Sequence, residues 1–336
     1  MEKKKIVAVV CGGDSSEHDV SLRSAQGIEN FLDKEKFEVF IVEINGLTWE
    51  AHLSDGKKVP VSREDFSFKA GRRKVRPDFA YITIHGTPGE NGILQGYFDL
   101  IRMPYSTSGV LVEAMTFNKF TLNQYLKGFG VNVSESLVVR KGNEDLVTDN
   151  EIIEHIGLPC FVKPNAGGSS FGVSKVKTLD QLRPAIKLAM QESDEVMVEA
   201  FMPGTELTCG CYKVAGKEVV FPVTEVVTHN EFFDYDAKYN GEVDEITPAR
   251  IPNDLRDRVQ ALTSAIYDIL GCSGIIRVDY IVTTQTDDEG KAHMRINMLE
   301  INTTPGMTPT SFIPQQVRAA KLDIKDVLSD IIEDKL

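Results

Sequence analysis

Residues 274–282, GIIRVDYIV, and 294–302, MRINMLEIN, carry the reading on which the fold turns. Both are short apolar runs interrupted by polar residues two apart. In an extended strand, residues two apart share a face. Arg277 and Asp279 therefore project together, as do Glu300 and Asn302. The intervening TTQTDDEGK has the composition of a turn, and folding there sets Asp279 opposite Met298 to Glu300. Two carboxylates, one amide oxygen and one guanidinium then occupy one face. Hard oxygens of this kind suit magnesium, which takes a few protein carboxylates plus substrate phosphate. Glu300 can bridge two ions, and Arg277 can stabilise charge developing on a reacting group. A surface charge ladder would share the spacing. The largely apolar flanks VDYIV and NMLEI argue for buried strands interrupted by a site instead.

Outward from this hairpin, several segments carry further chemistry. NTTPGMTPTS follows at once and reaches Ser311. Its Gly306 is either an ordinary Pro-Gly turn or a close backbone N–H for an oxyanion. The loop NAGGSSFG, residues 165–172, offers N–H groups and the hydroxyls of Ser169 and Ser170. It is either a plain flexible hairpin loop or a phosphate cradle, and it lacks the P-loop pattern. Lys163 stands in the otherwise apolar FVKP, where it wants a negative partner such as a phosphate. Lys119 reads alone as a helix residue. In VEAFMPGTE, Glu199 and Glu206 flank a turn, which fits either a strand end or a nucleotide hinge with a ribose-binding acid. Glu17 fits a helix-start acid. A lone histidine such as His85 is more often structural than catalytic.

The rest of the chain places these segments. Its 336 residues suit two or three compact units. The opening third alternates strand and helix, with strands at 6–11, 37–44 and 79–84 and a helix at 20–32. This is a βαβ opening with a mostly parallel sheet, whose ligands gather at the strands' carboxyl ends. GGDSSEHDVS and IHGTPGENG both fall there. GGDSS is not a dinucleotide-binding G-x-G-x-x-G, which counts against a dehydrogenase. Residues 47–77, with the basic run RRKVR, read as a solvated excursion or hairpin. The middle third reads as a small α+β unit, and the last third as antiparallel strands with a helix at 255–270. Net charge −13 counts against a nucleic-acid partner. No apolar run is long enough to span a membrane. The first strand runs straight into Gly-Gly-Asp and lacks the form of a signal peptide, so a cytoplasmic location is expected. The five cysteines show no zinc-ligand spacing and read as reduced, buried thiols.

Taken in order, GGDSSEHDVSL, IHGTPGENGILQG, FNKF, FVKPNAGGSSFGVSKV, VEAFMPGTELT, FFDYDAKY, GIIRVDY and MLEINTTPGMTPTS resemble the D-alanine–D-alanine ligases of the ATP-grasp superfamily. The resemblance covers nearly the whole chain, and 47–77 least. It implies a mixed α/β ATP-grasp fold in three domains. These are an N-terminal parallel-sheet domain (1–110), a central α+β subdomain (111–200) and a C-terminal antiparallel-sheet domain (201–336). It implies ATP-dependent joining of two D-alanines through a D-alanyl phosphate, for peptidoglycan, by a cytoplasmic homodimer.

The same resemblance implies residue roles. Glu17 holds the first D-alanine's ammonium, with His85 nearby. Lys119, Lys163, Ser169 and Ser170 contact ATP phosphates. Glu199 and Glu206 take the adenine amine and ribose, with Phe201 and Met202 as hinge. Asp279, Glu300 and Asn302 bind two magnesium ions, replaceable by manganese. Arg277 and the Gly306 N–H stabilise the oxyanion. Ser311 and Lys238 meet the second substrate's carboxylate or the transferring phosphate. Tyr239 bonds Ser169, which meets Glu17, and favours D-alanine over D-lactate as acceptor. Residues 229–245 form a lid, mobile in the free enzyme, that excludes water. Gly167 replaces a common acid of the loop, which bears on loop closure, and Ala200 a common lysine near adenine. D-serine or D-lactate ligation and a non-catalytic nucleotide-binding module are the competing readings; the second would show degraded metal ligands, and here all are present.

Overall fold

The computed structural model describes residues 3–168, 171–228, 243–287 and 289–336. Ser169, Ser170, Lys238, Tyr239 and all but the last three residues of the expected lid lie outside the described residues.

The chain begins with β1 (Lys5–Gly12), α1 (His18–Phe31) and β2 (Phe37–Asn45). β1 is buried along nearly its whole length, as a central parallel strand covered on both faces must be. It pairs in parallel with β2 and with β7 (Phe79–Ile82). Between them come β3 (Thr48–His52), β4 (Lys58–Pro60), β5 (Phe68–Ala70) and β6 (Arg73–Val75). For 47–77 the hairpin reading holds, and that of a solvated excursion needs correction. β3 and β4 extend the sheet antiparallel, giving the order β4-β3-β2-β1-β7, and β5–β6 form a separate hairpin. Val61, Phe66, Phe68 and Val75 are buried there. Short strands with single apolar anchors had hidden a core contribution behind a charged surface.

Three helices follow: α2 (Ile93–Leu100), α3 (Val110–Phe117) and α4 (Lys119–Lys127). Asn118 caps α4 through the N–H of Thr121. The second sheet is antiparallel, in the order β10-β9-β11-β8, from β8 (Ser136–Arg140), β9 (Cys160–Pro164), β10 (Ser174–Val176) and β11 (Glu195–Ala200). It packs on α5 (Asp149–Ile156), which starts with a Thr148/Glu151 capping box, and on α6 (Leu182–Ala189).

The third sheet has the order β15-β14-β12-β16-β17, with β13 also paired to β12. Its strands are β12 (Thr205–Val214), β13 (Lys217–Val220), β14 (Thr224–Thr228), β15 (Val243–Ile246), β16 (Ile276–Thr286) and β17 (Ala292–Asn302). α7 (Asn253–Leu270) packs on this sheet and ends at Gly271, whose φ of 68° is the left-handed cap that glycine supplies most easily. The chain closes with α8 (Phe312–Ala319) and α9 (Ile324–Glu333), which share one core with β1, α1 and Tyr212 of β12. The first and last segments of the chain therefore build a common interior.

Cys11, Cys160, Cys209 and Cys211 are buried free thiols and Cys272 is partly buried. Burial pushes the Cys160 thiol up to about 11 and those of Cys11, Cys209 and Cys272 to about 12, which suits packing rather than reactivity.

Candidate active site

β16 and β17 pair with Arg277 opposite Asn302 and Asp279 opposite Glu300. A register shift follows between Asp279 and Tyr280, so Tyr280 faces Met298 and Leu299 is passed over. The four polar residues thus sit on the bulge-free end of the hairpin, at the wall of a cleft of about 820 Å³. Arg277 forks onto Asp279, Nε to Oδ1 at 2.9 Å and Nη2 to Oδ2 at 2.8 Å. Thr208 Oγ1 also donates to Asp279 Oδ1, and Asn302 Nδ2 to Oδ2 at 3.1 Å. Burial would lower the Arg277 pKa, but Asp279 outweighs it and holds the guanidinium firmly protonated. The ring of Phe312 lies 4.9 Å from the guanidinium carbon.

With its NH2 turned to Asp279, Asn302 keeps its carbonyl oxygen for another partner. Glu300 lines the same cleft. Among the described residues, no three carboxylate, imidazole or thiolate groups converge on one point. A cation here would take Asp279, Glu300, the Asn302 oxygen and oxygens from a bound phosphate. That donor set fits magnesium, which keeps few protein ligands.

Lys119 and Lys163 line the same cleft. Lys163 Nζ donates to Glu199 Oε1 at 2.6 Å, and the two residues are 8% and 4% exposed. The negative partner that Lys163 needs is therefore built into the neighbouring strand in this state. Lys119 Nζ donates to Gly167 O at 2.6 Å, and burial lowers its pKa. Asn165, which the sequence reading passed over, pins the start of the loop. Its Oδ1 accepts from Phe120 N at 2.8 Å, and its Nδ2 donates to Asn118 Oδ1 and Glu195 Oε2. Gly167 has φ of 147°. A Cβ on Gly168 would fall 2.4 Å from Glu17 Oε2, so the loop backbone descends onto that carboxylate.

Phe201 and Met202 line the cleft at the exit of β11, and the ring of Phe201 lies 5.9 Å from that of Phe161. Lys175 Nζ stands 4.0 Å over the Phe201 ring, so a cation does reach this region although residue 200 is alanine. Ser134 Oγ holds Ala200 O at 2.7 Å. Glu206 lies on β12 opposite Ile281 and lines the cleft as well.

At the far end, Glu17 is the N-cap residue of α1, and its side chain makes no capping hydrogen bond. His85 Nε2 lies 3.3 Å from Ser24 Oγ, and Ser15 Oγ donates to His85 O at 2.7 Å. Glu90 was missed, although it stands in the quoted IHGTPGENG. Its Oε2 accepts from Gly86 N at 2.7 Å and its Oε1 from Thr304 Oγ1 at 2.6 Å. Burial, helped by Glu17, raises its pKa to about 7. Solvent still reaches part of this residue. Ser311 Oγ accepts from Thr308 N at 3.1 Å and would meet a Cβ on Gly306 at 3.0 Å. All the expected site residues that are described, from Glu17 to Ser311, line this one cleft.

A cleft lined by lysines, an acid-bearing hairpin and a glycine loop suits ATP-dependent activation of a carboxylate for attack by an amine. The chain matches the family model described as D-ala D-ala ligase N-terminus over residues 6–108 and that described as D-ala D-ala ligase C-terminus over 125–333. A D-alanine–D-alanine ligase of Phocaeicola vulgatus is 68% identical over 332 residues, covering 99% of each chain. Among solved structures, a D-Ala:D-Ser ligase from Enterococcus faecalis superposes with TM-score 0.86 at 30% identity, covering 99% of this chain and 100% of that one. A Bacillus anthracis D-alanine–D-alanine ligase complexed with ATP gives 0.75 at 27%, covering 98% and 97%. The chain belongs to the D-alanine–D-alanine ligase family.

Proposed function

We infer that the chain joins two D-alanines at the expense of ATP, through a D-alanyl phosphate, to supply D-alanyl-D-alanine for peptidoglycan. The observation that carries this is the single cleft shared by Glu17, Lys119, Lys163, Arg277, Asp279, Glu300 and Asn302. Magnesium, when bound, neutralises the outer phosphates and aligns the transferring phosphoryl group. Asp279, Glu300 and Asn302 would hold it. Lys119 and Lys163 bind the phosphates; Lys163 exchanges Glu199 for phosphate as nucleotide enters, which frees Glu199 for the adenine amine. Glu206 takes the ribose. Phe201 and Met202 form the hinge against which adenine docks.

Glu17 holds the ammonium of the first D-alanine and turns its carboxylate toward the phosphates, with His85 beside it. Once the acyl phosphate forms, the second amine attacks its carbonyl, the oxyanion gathers against Arg277 and the Gly306 N–H, and phosphate departs with the C–O bond electrons. Arg277 suits this task because Asp279 fixes both its position and its charge. Ser311 receives the second substrate's carboxylate. Ser169, Ser170, Lys238 and Tyr239 keep the roles that the family pattern gives them.

No described helix is long and apolar enough to cross a membrane; the proposed location is the cytoplasm. The proposed assembly is a homodimer. Its support is an apolar face on α2 and α3, where Ile93, Leu100 and Leu111 are 62%, 85% and 72% exposed. The division at 110 and 200 is likewise proposed; its support is that each of the three larger sheets falls within one segment, while α8 and α9 return to the core of the first.

The test is phosphate release from ATP and magnesium with D-alanine, D-serine and D-lactate offered as acceptors. Release with D-alanine and formation of the dipeptide are expected. No D-alanine-dependent release would overturn the assignment, and preference for D-serine would move it to the neighbouring specificity.

A further inference from the structure

One buried acid lies outside every role assigned so far. Glu113, on α3, is 0% exposed. Its Oε2 accepts the hydroxyl of Thr303, a residue 190 positions later and itself 3% exposed. Its Oε1 has no hydrogen-bonding partner among the described residues. Burial drives its pKa well up, against the pull of the Thr303 hydroxyl.

Thr303 immediately follows Asn302, and three residues further on is Gly306. The hydroxyls of this segment reach away from their own sheet. Thr303 reaches α3, while Thr304 reaches Glu90 and Ile84 O beside β7. Two carboxyl groups from the first half of the chain therefore grip the segment that joins the end of β17 to the Gly306 turn. Leaving a buried hydroxyl or carboxyl unpaired is costly, so the pairing resists drift of that segment.

We propose that Glu113 is a positioning residue for ligation: by accepting the Thr303 hydroxyl it fixes the spacing between Asn302 and Gly306. This rests on the reading of that segment as the catalytic strand end and turn. Glu113 touches no substrate. It acts through Thr303 on where the Asn302 amide oxygen and the Gly306 N–H stand.

The experiment compares E113Q, E113L, T303V, T303S and the double variant E113L/T303V. It measures kcat, KM for ATP and D-alanine, and Mn2+ affinity by electron paramagnetic resonance in the presence of ADP. Glutamine keeps an acceptor oxygen for Thr303 without a carboxylate's charge, and serine keeps the hydroxyl. E113Q and T303S are expected to retain turnover. E113L and T303V are each expected to lose about tenfold in kcat, the value of one buried hydrogen bond, with KM for ATP little changed. Mn2+ affinity should fall with kcat. The double variant should be no worse than either single one, because both remove the same bond. If E113L keeps wild-type kcat or wild-type Mn2+ affinity, or if the two losses multiply, the inference is overturned. Should E113L fail to fold, T303V against T303S decides by the same criteria. A wild-type protein without D-alanine-dependent phosphate release would instead overturn the ligase assignment, so the two failures are distinct.

Discussion

Gly27 sits on the buried face of α1, and a Cβ built there would lie 2.2 Å from the carbonyl oxygen of Met307. Ordinary contact begins at 3.4 Å, so Gly27→Ala forces the helix and the 306–308 turn apart by roughly 1.2 Å, or bends one of them. The obstructing atom is backbone and cannot rotate away. Overpacking of this kind costs about 1–3 kcal/mol. Alanine in place of glycine inside a helix returns about 0.5–1 kcal/mol. The balance is a loss of up to about 2.5 kcal/mol, or a few degrees in Tm for a chain of this size. Gly96 on α2 provides the contrast, because a Cβ there meets only Val110 Cγ2 at 3.8 Å. Gly96→Ala should therefore stabilise by up to about 1 kcal/mol. Urea unfolding midpoints, with the slopes compared, give both signs. Turnover of Gly27→Ala should also fall, since the displaced turn carries Gly306. A midpoint for Gly27→Ala at or above wild type would refute the argument that the helix and turn meet backbone to backbone.

Glu300→Gln should abolish phosphate release, at least about a hundredfold, while thermal unfolding stays near wild type; substantial turnover would remove Glu300 from the metal set. Chelation of divalent ions should stop the reaction, and manganese should restore it. Glu90 is protonated in the folded protein up to about pH 7 but ionises near 4.5 when unfolded. Between those values the native state holds the extra proton, so stability contributed at low pH is lost as pH rises through the window. Glu90→Gln should flatten that decline, measured by unfolding midpoints from pH 4.5 to 8; an unchanged slope would show that Glu90 does not carry it. Lys175→Met should raise KM for ATP a few-fold by freeing the Phe201 ring, with kcat held.

The site hairpin was readable because strand spacing and apolar flanks constrain which residues share a face, and Asp279 does lie opposite Glu300. Spacing alone could not reveal the bulge that follows, since a passed-over Leu299 looks like any other strand residue. Nor could it reveal that Arg277 and Asp279 bind one another, because a strand pattern fixes direction and not hydrogen bonding. Glu90, Glu113 and Asn165 escaped for a related reason. Their partners, Thr304, Thr303 and Phe120, are joined to them only by tertiary folding. The 47–77 segment escaped because its strands are three to five residues long and carry too few apolar positions for a period to emerge.

The shared interior of the chain's two ends has a consequence for synthesis. Val7, Val9 and Cys11 of β1 meet Val327, Leu328, Ile331 and Ile332 of α9 in one core. The helix is made about 320 residues after the strand. Until that helix has been made, then, that side of the first sheet has only part of its cover. Chains that stall or are trimmed near residue 324 would display apolar strand surface from residue 7 onward, the kind of surface that chaperones hold and that aggregates recruit.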